Sequence, residues 1–341
     1  MAQLIKLYDY ISRYEMDPYR YPGQFIRMKK QQWRILHEAW KTSQFDVFMK
    51  KFEGSGTPEE GSKPSLFTKI KGKLVKSNED TISIEIPPLI AEAVREEEFD
   101  MQFTTEPRAE EDLKHLFLDK IFQFQLKWAS STLRDKSQID RALYRNKELK
   151  FFLQRFPDQY LFMYKPVFKV KQAVTELDLL FILPSEILCM TLLKGEKDSV
   201  FIGSNDHFWQ EKTGRHVKKV LNPQISLNRA GTIISNMMQS NGIGLPVKKL
   251  LISQNSYIDH PSQAFDLQII DKRTFEKWFQ QLRSASSPVK HIQLKAVKVL
   301  FDYTVSDSYP RSEWNKDSAE QFDLKNGQSL YTKKNSDKSE D

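Results

Sequence analysis

Residues 160 to 193 constrain the fold most. Three runs rich in Phe, Val, Leu and Ile, at 160 to 170, 174 to 183 and 186 to 193, are separated by short breaks, the tightest at Pro184 and Ser185. Apolar runs of that length bounded by turn residues predict three successive strands. The longest apolar stretch, 177 to 193, is interrupted by Asp178, Pro184, Ser185 and Glu186, so it falls short of the roughly 20 uninterrupted residues of a membrane span. A buried sheet is expected, and no membrane partner.

Helical patterns surround these strands. From Glu110, one stripe carries Leu113, Phe117, Ile121, Phe124 and Trp128 and a second carries Leu118, Phe122 and Leu126, which predicts a largely buried helix. A further helix is expected from about 138 to 156, ended by Pro157. Val200 to Ile202 reads as a fourth strand. Asn222 can cap a helix that begins with Pro223, has Ile225, Ile233, Met237 and Met238 on its apolar side, and ends at Gly242. Strands are expected at 247 to 253 and 266 to 271, then a helix carrying Phe275, Trp278, Phe279 and Leu282. Residues 287 to 303 fit helical spacing but have the β-branched content of a strand. The order of elements is that of an α/β core.

A chain of 341 residues accommodates about two domains, or one domain with an extension. Composition places a helical N-terminal region at 1–52, a flexible Gly, Ser, Pro and Glu linker at 53–64, a hairpin and a buried helix packing on the core at 65–137, the core domain at 138–310, and a flexible polar tail at 311–341. The net charge is +7, and the excess is concentrated in the first 52 residues, which hold 10 Lys or Arg against 5 acids. There Ile26, Trp33, Leu36 and Trp40 recur at helical spacing, with Arg27, Lys30, Arg34 and Lys41 mostly on other faces. Tryptophans in such a pattern pack against the body of a protein, or offer a surface to a protein or nucleic-acid partner.

Cys189 is the only cysteine, which excludes an intramolecular disulfide and a cysteine-cluster metal site, and its ILCM context predicts a buried thiol. With no secretion signal in the first residues, a cytoplasmic location is expected. The histidines at 37, 115, 207, 216, 260 and 291 lack zinc-ligand spacing, and neither a P-loop nor G-x-S-x-G occurs. Gly242, Ile243 and Gly244 follow a helix and precede Pro246, so they read as a turn rather than a dinucleotide loop. Between His207 and Lys219, the cations Lys212, Arg215, Lys218 and Lys219 gather around Trp209, as a phosphate-binding patch or as a solvated hairpin.

The block from Lys169 to Gly195 carries the most specific signal. Thr175, Glu176, Leu177 and Asp178 precede an apolar run, the turn at Pro184 and Ser185 follows, and Trp209, Asn222 with Pro223, and the strand at 247 to 253 come later. In that order, over about residues 138 to 283, the chain resembles the nuclease-related domain (NERD) family of the PD-(D/E)xK nuclease-like superfamily. The resemblance implies a restriction-endonuclease-like mixed sheet flanked by helices, with the helical N-terminal extension outside it. It also implies a site where carboxylates from adjacent strands hold Mg²⁺ and a lysine, two residues beyond the second acid and on its face, places the attacking water.

Asp178, Glu176 and Lys194 are the residues of this chain nearest to that set. Aligned without gaps, Thr191 stands where the family has its second acid and Leu193 where it has its lysine. A shift of one residue recovers Lys194, but it puts Leu192 at the acid position and turns every side chain to the opposite face. Asn146, with Glu148 two residues on, stands where a helix glutamate is usual, and Ser226 where a glutamine is. Asp178 and Glu176 share a face if the strand is regular. The expectation is a degenerate centre without a metal cofactor, with Asp178 a hydrogen-bonded structural acid and nucleic acid bound rather than cut. Two alternatives stay open: an active Mg²⁺-dependent nuclease using Lys194 with Glu176 and Asp178, and a protein-interaction or assembly factor using the aromatic N-terminal helix.

Overall fold

The computed structural model describes residues 1–42, 45, 107–260, 266–285 and 287–311. The linker at 53–64, the hairpin expected within 65–106 and the tail beyond 311 lie outside the described residues. The chain divides into two compact units, Met1–Met28 with Gln125–Asp341, and Lys29–Phe124.

The helices are α1 (Arg13–Met16), α2 (Tyr21–Lys41), α3 (Glu110–Trp128), α4 (Lys147–Arg155), α5 (Pro223–Ser240), α6 (Phe275–Arg283) and α7 (His291–Tyr303). The strands are β1 (Gln3–Leu7), β2 (Asp135–Lys136), β3 (Leu161–Tyr164), β4 (Val167–Val170), β5 (Ala173–Glu176), β6 (Leu179–Ile182), β7 (Ile187–Leu192), β8 (Val200–Ile202), β9 (Phe208–Thr213), β10 (His216–Leu221), β11 (Val247–Ile252), β12 (Tyr257–Asp259), β13 (Leu267–Ile270) and β14 (Tyr309–Pro310). No helix among the described residues is long and apolar enough to cross a membrane.

In the larger unit the main sheet runs β1-β3-β6-β7-β11-β13. β1 is parallel to β3, β3 and β7 are antiparallel to β6, and β7, β11 and β13 are mutually parallel where they meet. The sheet is therefore mixed, as expected, and helices flank it on both sides. Pairing places Phe162, Phe181 and Leu188 on one face, where Phe152 and Phe156 from α4 and its C-cap pack on the two sheet rings at centroid distances of 5.2 to 5.7 Å. Cys189 and Leu180 share the opposite face with Lys249, whose side chain runs against Gly231 of α5; a Cβ there would lie 2.8 Å from it. Glycine at that position lets helix and strand approach closely.

The N-terminal region contains the expected helix, α2, and a strand ahead of it. It opens with β1, fully buried, at the edge of the main sheet. The polar residues Gln3 and Lys6 interrupt the apolar run, and both are satisfied by partners outside the strand. Gln3 Nε2 donates to Asp158 O at 2.7 Å, and Lys6 Nζ reaches Tyr10 O, Glu15 and Ser306 at 2.8, 2.5 and 2.6 Å.

The three long strands expected between 160 and 193 are five shorter ones. Lys165 adopts a left-handed backbone (φ 47°) ahead of Pro166, and the chain leaves the main sheet. It then forms the separate β4–β5 ribbon, turns at Lys171 (φ 56°), and rejoins the sheet at β6. The expected helix at 138–156 likewise divides into a 3₁₀ turn (Arg141–Arg145) and α4, because Asn146 caps α4 by accepting from Leu149 N at 3.0 Å. α5 begins as expected, with Asn222 accepting from Gln224 N at 2.9 Å and Pro223 at the first position, although Ile234 rather than Ile233 is its fully buried isoleucine. Residues 291–303 are helical.

In the smaller unit, Trp33 of α2 lies 5.3 Å from Phe117 of α3 between ring centroids, and Trp40 Nε1 donates to Pro107 O at 3.1 Å. The tryptophans of the aromatic helix thus pack within their own unit, and Arg27, Lys30, Arg34 and Lys41 are exposed.

Candidate functional site

The carboxyl ends of β1, β3, β7, β11 and β13 point to one end of the main sheet, where β6, running the other way, begins. In open α/β sheets such an end is where ligands bind. Asp178 sits immediately before β6 and Thr191 near the end of β7, and Thr191 Oγ1 donates to Asp178 Oδ2 at 2.5 Å. The pairs Leu179–Met190 and Leu180–Cys189 set that register, so Asp178 and Thr191 fall on the face of Cys189. Leu193, two residues beyond Thr191, continues on that face by alternation, its N–H donating to Ile252 O at 2.8 Å.

The other residues of interest lie elsewhere. Tyr164 is paired with Leu179 and so belongs to the opposite face. Its hydroxyl donates to Glu148 Oε1 at 3.3 Å and accepts from Asn146 Nδ2 at 3.1 Å. Burial, and then the Glu148 carboxylate, push the Tyr164 hydroxyl far above its ordinary pKa. Lys194 Nζ lies 2.5 Å from Glu148 Oε2 in an ion contact that lacks directional hydrogen-bond geometry. Glu176 is exposed on the β4–β5 ribbon, 3.8 Å from Lys165 Nζ. The expectation that Glu176 and Asp178 share one regular strand is therefore corrected: Glu176 ends β5, and the chain bends before Asp178. Lys194, Glu176 and Asp178 each take a different partner.

A Mg²⁺ site at this end of the sheet would have to be built from these side chains. A hard cation draws several oxygen ligands from more than one element. Here Asp178 receives the Thr191 hydroxyl, Glu148 is held by Tyr164 and Lys194, and Glu176 faces Lys165. The residues do not fit a Mg²⁺ site. Among the described residues, no group of three or more His, Cys, Asp or Glu side chains is placed to hold a metal.

Sequence reasoning missed two tyrosines at this end of the sheet. Tyr8 follows β1 in a left-handed conformation (φ 49°) and donates its N–H to Tyr164 O at 3.0 Å, with the two rings edge to face at 5.9 Å. Burial and then Glu176 raise its pKa. Finding Tyr8 requires knowing that β1 joins the sheet, and its polar residues hide that. Tyr164 lies in a run correctly read as a strand, and its distance from the acidic motif is what concealed it.

The cations Lys212, Arg215, Lys218 and Lys219 lie on the β9–β10 hairpin, all exposed. Gly214 makes its two-residue turn with Arg215, at φ 59°, a conformation that glycine adopts without strain. The hairpin belongs to a second sheet, ordered β10-β9-β8-β12. Trp209 points inward, fully buried, and its Nε1 donates to Ser204 O at 2.9 Å.

The chain is 30% identical over 125 residues to an RNA 2′,3′-cyclic phosphodiesterase of Geobacillus stearothermophilus, a match covering 37% of this chain and 36% of that protein. The matched part thus spans about a third of the relative's own length. No protein-family model matches the chain, and no solved structure matches it.

Proposed function

We propose that this protein is a NERD-like member of the PD-(D/E)xK superfamily that binds nucleic acid at a degenerate centre, without metal-dependent cleavage. One observation carries the reading: the hydroxyl of Thr191, rather than a second carboxylate, faces Asp178 from the neighbouring strand. A neutral hydroxyl brings no charge to a divalent cation, and Lys194 is held at Glu148 instead of beside Asp178. The exposed cations Lys212, Arg215, Lys218 and Lys219 supply phosphate contacts. The mixed sheet, with its helices on both faces, agrees with the fold that the resemblance implies.

The test is retention of labelled DNA and RNA on the full chain in EDTA and again in Mg²⁺. Equal binding in both supports the proposal, and binding that requires the metal contradicts it.

A second function is favoured by the relative. Its name describes chemistry on an RNA phosphodiester, and the same class of substrate suits a basic protein with a tyrosine-rich sheet end. Turnover of a nucleoside 2′,3′-cyclic phosphate by the purified chain, lost on Tyr164→Phe or Glu148→Gln, would establish it in place of binding alone.

A further inference from the structure

We infer that the outer face of the β10-β9-β8-β12 sheet is a binding platform for single-stranded nucleic acid. This rests on the nucleic-acid reading above and gives it a surface and a strandedness. Cross-strand pairing defines the face. Val217, Lys212, Val200 and Tyr257 form one row, Lys219, Gln210, Ile202 and Asp259 the next, and Leu221 with Phe208 the last. Trp209, Glu211, Phe201 and Ile258 point the other way and are buried.

Three large apolar side chains stand out on the outer face: Phe208, Val217 and Leu221 are 53%, 58% and 59% exposed. Phe208 and Leu221 are paired across the two strands, and Lys219 separates Leu221 from Val217. Lys212 and Lys219 lie on this face, Arg215 in the adjoining turn and Lys218 on the same edge strand. None of the four forms an ion pair among the described residues, where the ion pairs engage other cations. Glu211, the acid within β9, is turned inward and accepts from Ser199 Oγ and Glu196 N, each at 3.0 Å. At the far edge, Lys272 Nζ and Arg273 Cζ lie 5.5 and 5.8 Å from the centre of the Tyr257 ring.

An exposed ring among unpaired cations suits a strand whose bases are free to stack and whose phosphates track the charge. A duplex hides the faces of its bases and gives Phe208 nothing to stack on. Lysines on an edge strand also guard against strand-to-strand aggregation. That role alone leaves the exposure of Phe208 and Leu221 unexplained, and it predicts no dependence of nucleic-acid binding on these residues.

Fluorescence anisotropy with labelled oligonucleotides of about 12 nucleotides tests the inference on the full chain, using single-stranded RNA, single-stranded DNA and a duplex of the same sequence. Single strands are expected to bind at least several-fold more tightly than duplex, and the preferred sugar identifies which polynucleotide is held. Lys212→Glu with Lys219→Glu should weaken single-strand binding by roughly tenfold or more and flatten the salt dependence, since each phosphate neutralised contributes about 0.7 to the log–log slope for single strands. Phe208→Ala should weaken binding roughly fivefold or more with the slope unchanged, and Phe208→Trp should restore it. Circular dichroism checks that each variant is folded. Duplex binding as tight as single-strand binding, or variants that bind like the parent, overturn this surface while leaving the nucleic-acid reading standing. Absence of binding to all three probes overturns both.

Discussion

Thr191 donates its hydroxyl to Asp178 across the β6–β7 pair, at 2.5 Å, on a sheet face that Glu148 and Lys194 do not share. The geometry that two carboxylates and a lysine need for metal-assisted hydrolysis is thus divided between two sides of the sheet. On the Asp178 side, a hydroxyl and, by alternation, the aliphatic Leu193 occupy the positions where charge is needed.

Placing that charge there should create an ion site. Thr191→Glu with Leu193→Lys places an acid and a base beside Asp178 on one face of β7. Calorimetric titration with Mg²⁺ or Mn²⁺ should show binding by this variant and none by the parent chain. A variant that stays silent while remaining folded argues that the centre lacks more than these two groups.

β1 is held to the larger unit by Lys6, whose buried ammonium bonds Glu15 and Ser306. Lys6→Met removes one partner of a largely buried pair and should cost about 3 kcal/mol, the low end for such losses because Glu15 keeps some access to water. Urea unfolding gives the value, and an unchanged midpoint would contradict the anchoring role of this residue.

Asp271 gives the fold an acid-sensitive contact. Burial alone would raise its pKa, but hydrogen bonds from the Arg273 side chain and from the N–H groups of Ile258 and Arg273 outweigh that and hold it below the ordinary carboxylate value. A depressed native pKa means that this stabilisation is present above the unfolded-state value and is lost as pH falls through the native one. Asp271→Asn should therefore be less stable than the parent at neutral pH and converge with it as pH falls through the depressed native value in acid unfolding curves. Parallel curves over the whole range would contradict this.

Burial pushes the Cys189 thiol up to about 12, within β7. A thiol with so little thiolate and no access to solvent should resist a disulfide reagent at pH 8 for as long as the protein is folded. Its labelling rate should follow global unfolding in denaturant. Rapid labelling of the native chain would show that β7 opens locally.

The elements most legible in the sequence are those with local causes. Asn222 and Pro223 announce α5 because capping and a fixed φ act within one turn, and β8 follows from its short β-branched run. Asp178 and Thr191 can be matched from sequence because the turn at Pro184 and Ser185 fixes the register of the strands on either side. β1 escapes a local reading, since Lys6 is compatible with a buried strand only through partners outside it, Tyr10, Glu15 and, 300 residues away, Ser306. The β4–β5 ribbon escapes because apolar residues on both sides of Lys165 look continuous, while one left-handed residue sends the chain out of the sheet. Tyr8 is hidden for the same reason as β1, and with it part of the candidate site.

The most direct test of the central claim is a single reaction in which end-labelled single-stranded RNA and DNA are incubated with the full chain, with Mg²⁺ or with EDTA, and both complex and fragment are read. The account predicts a complex in both conditions and an intact strand throughout. Fragments that appear only with the metal, and vanish on Asp178→Ala, would contradict it.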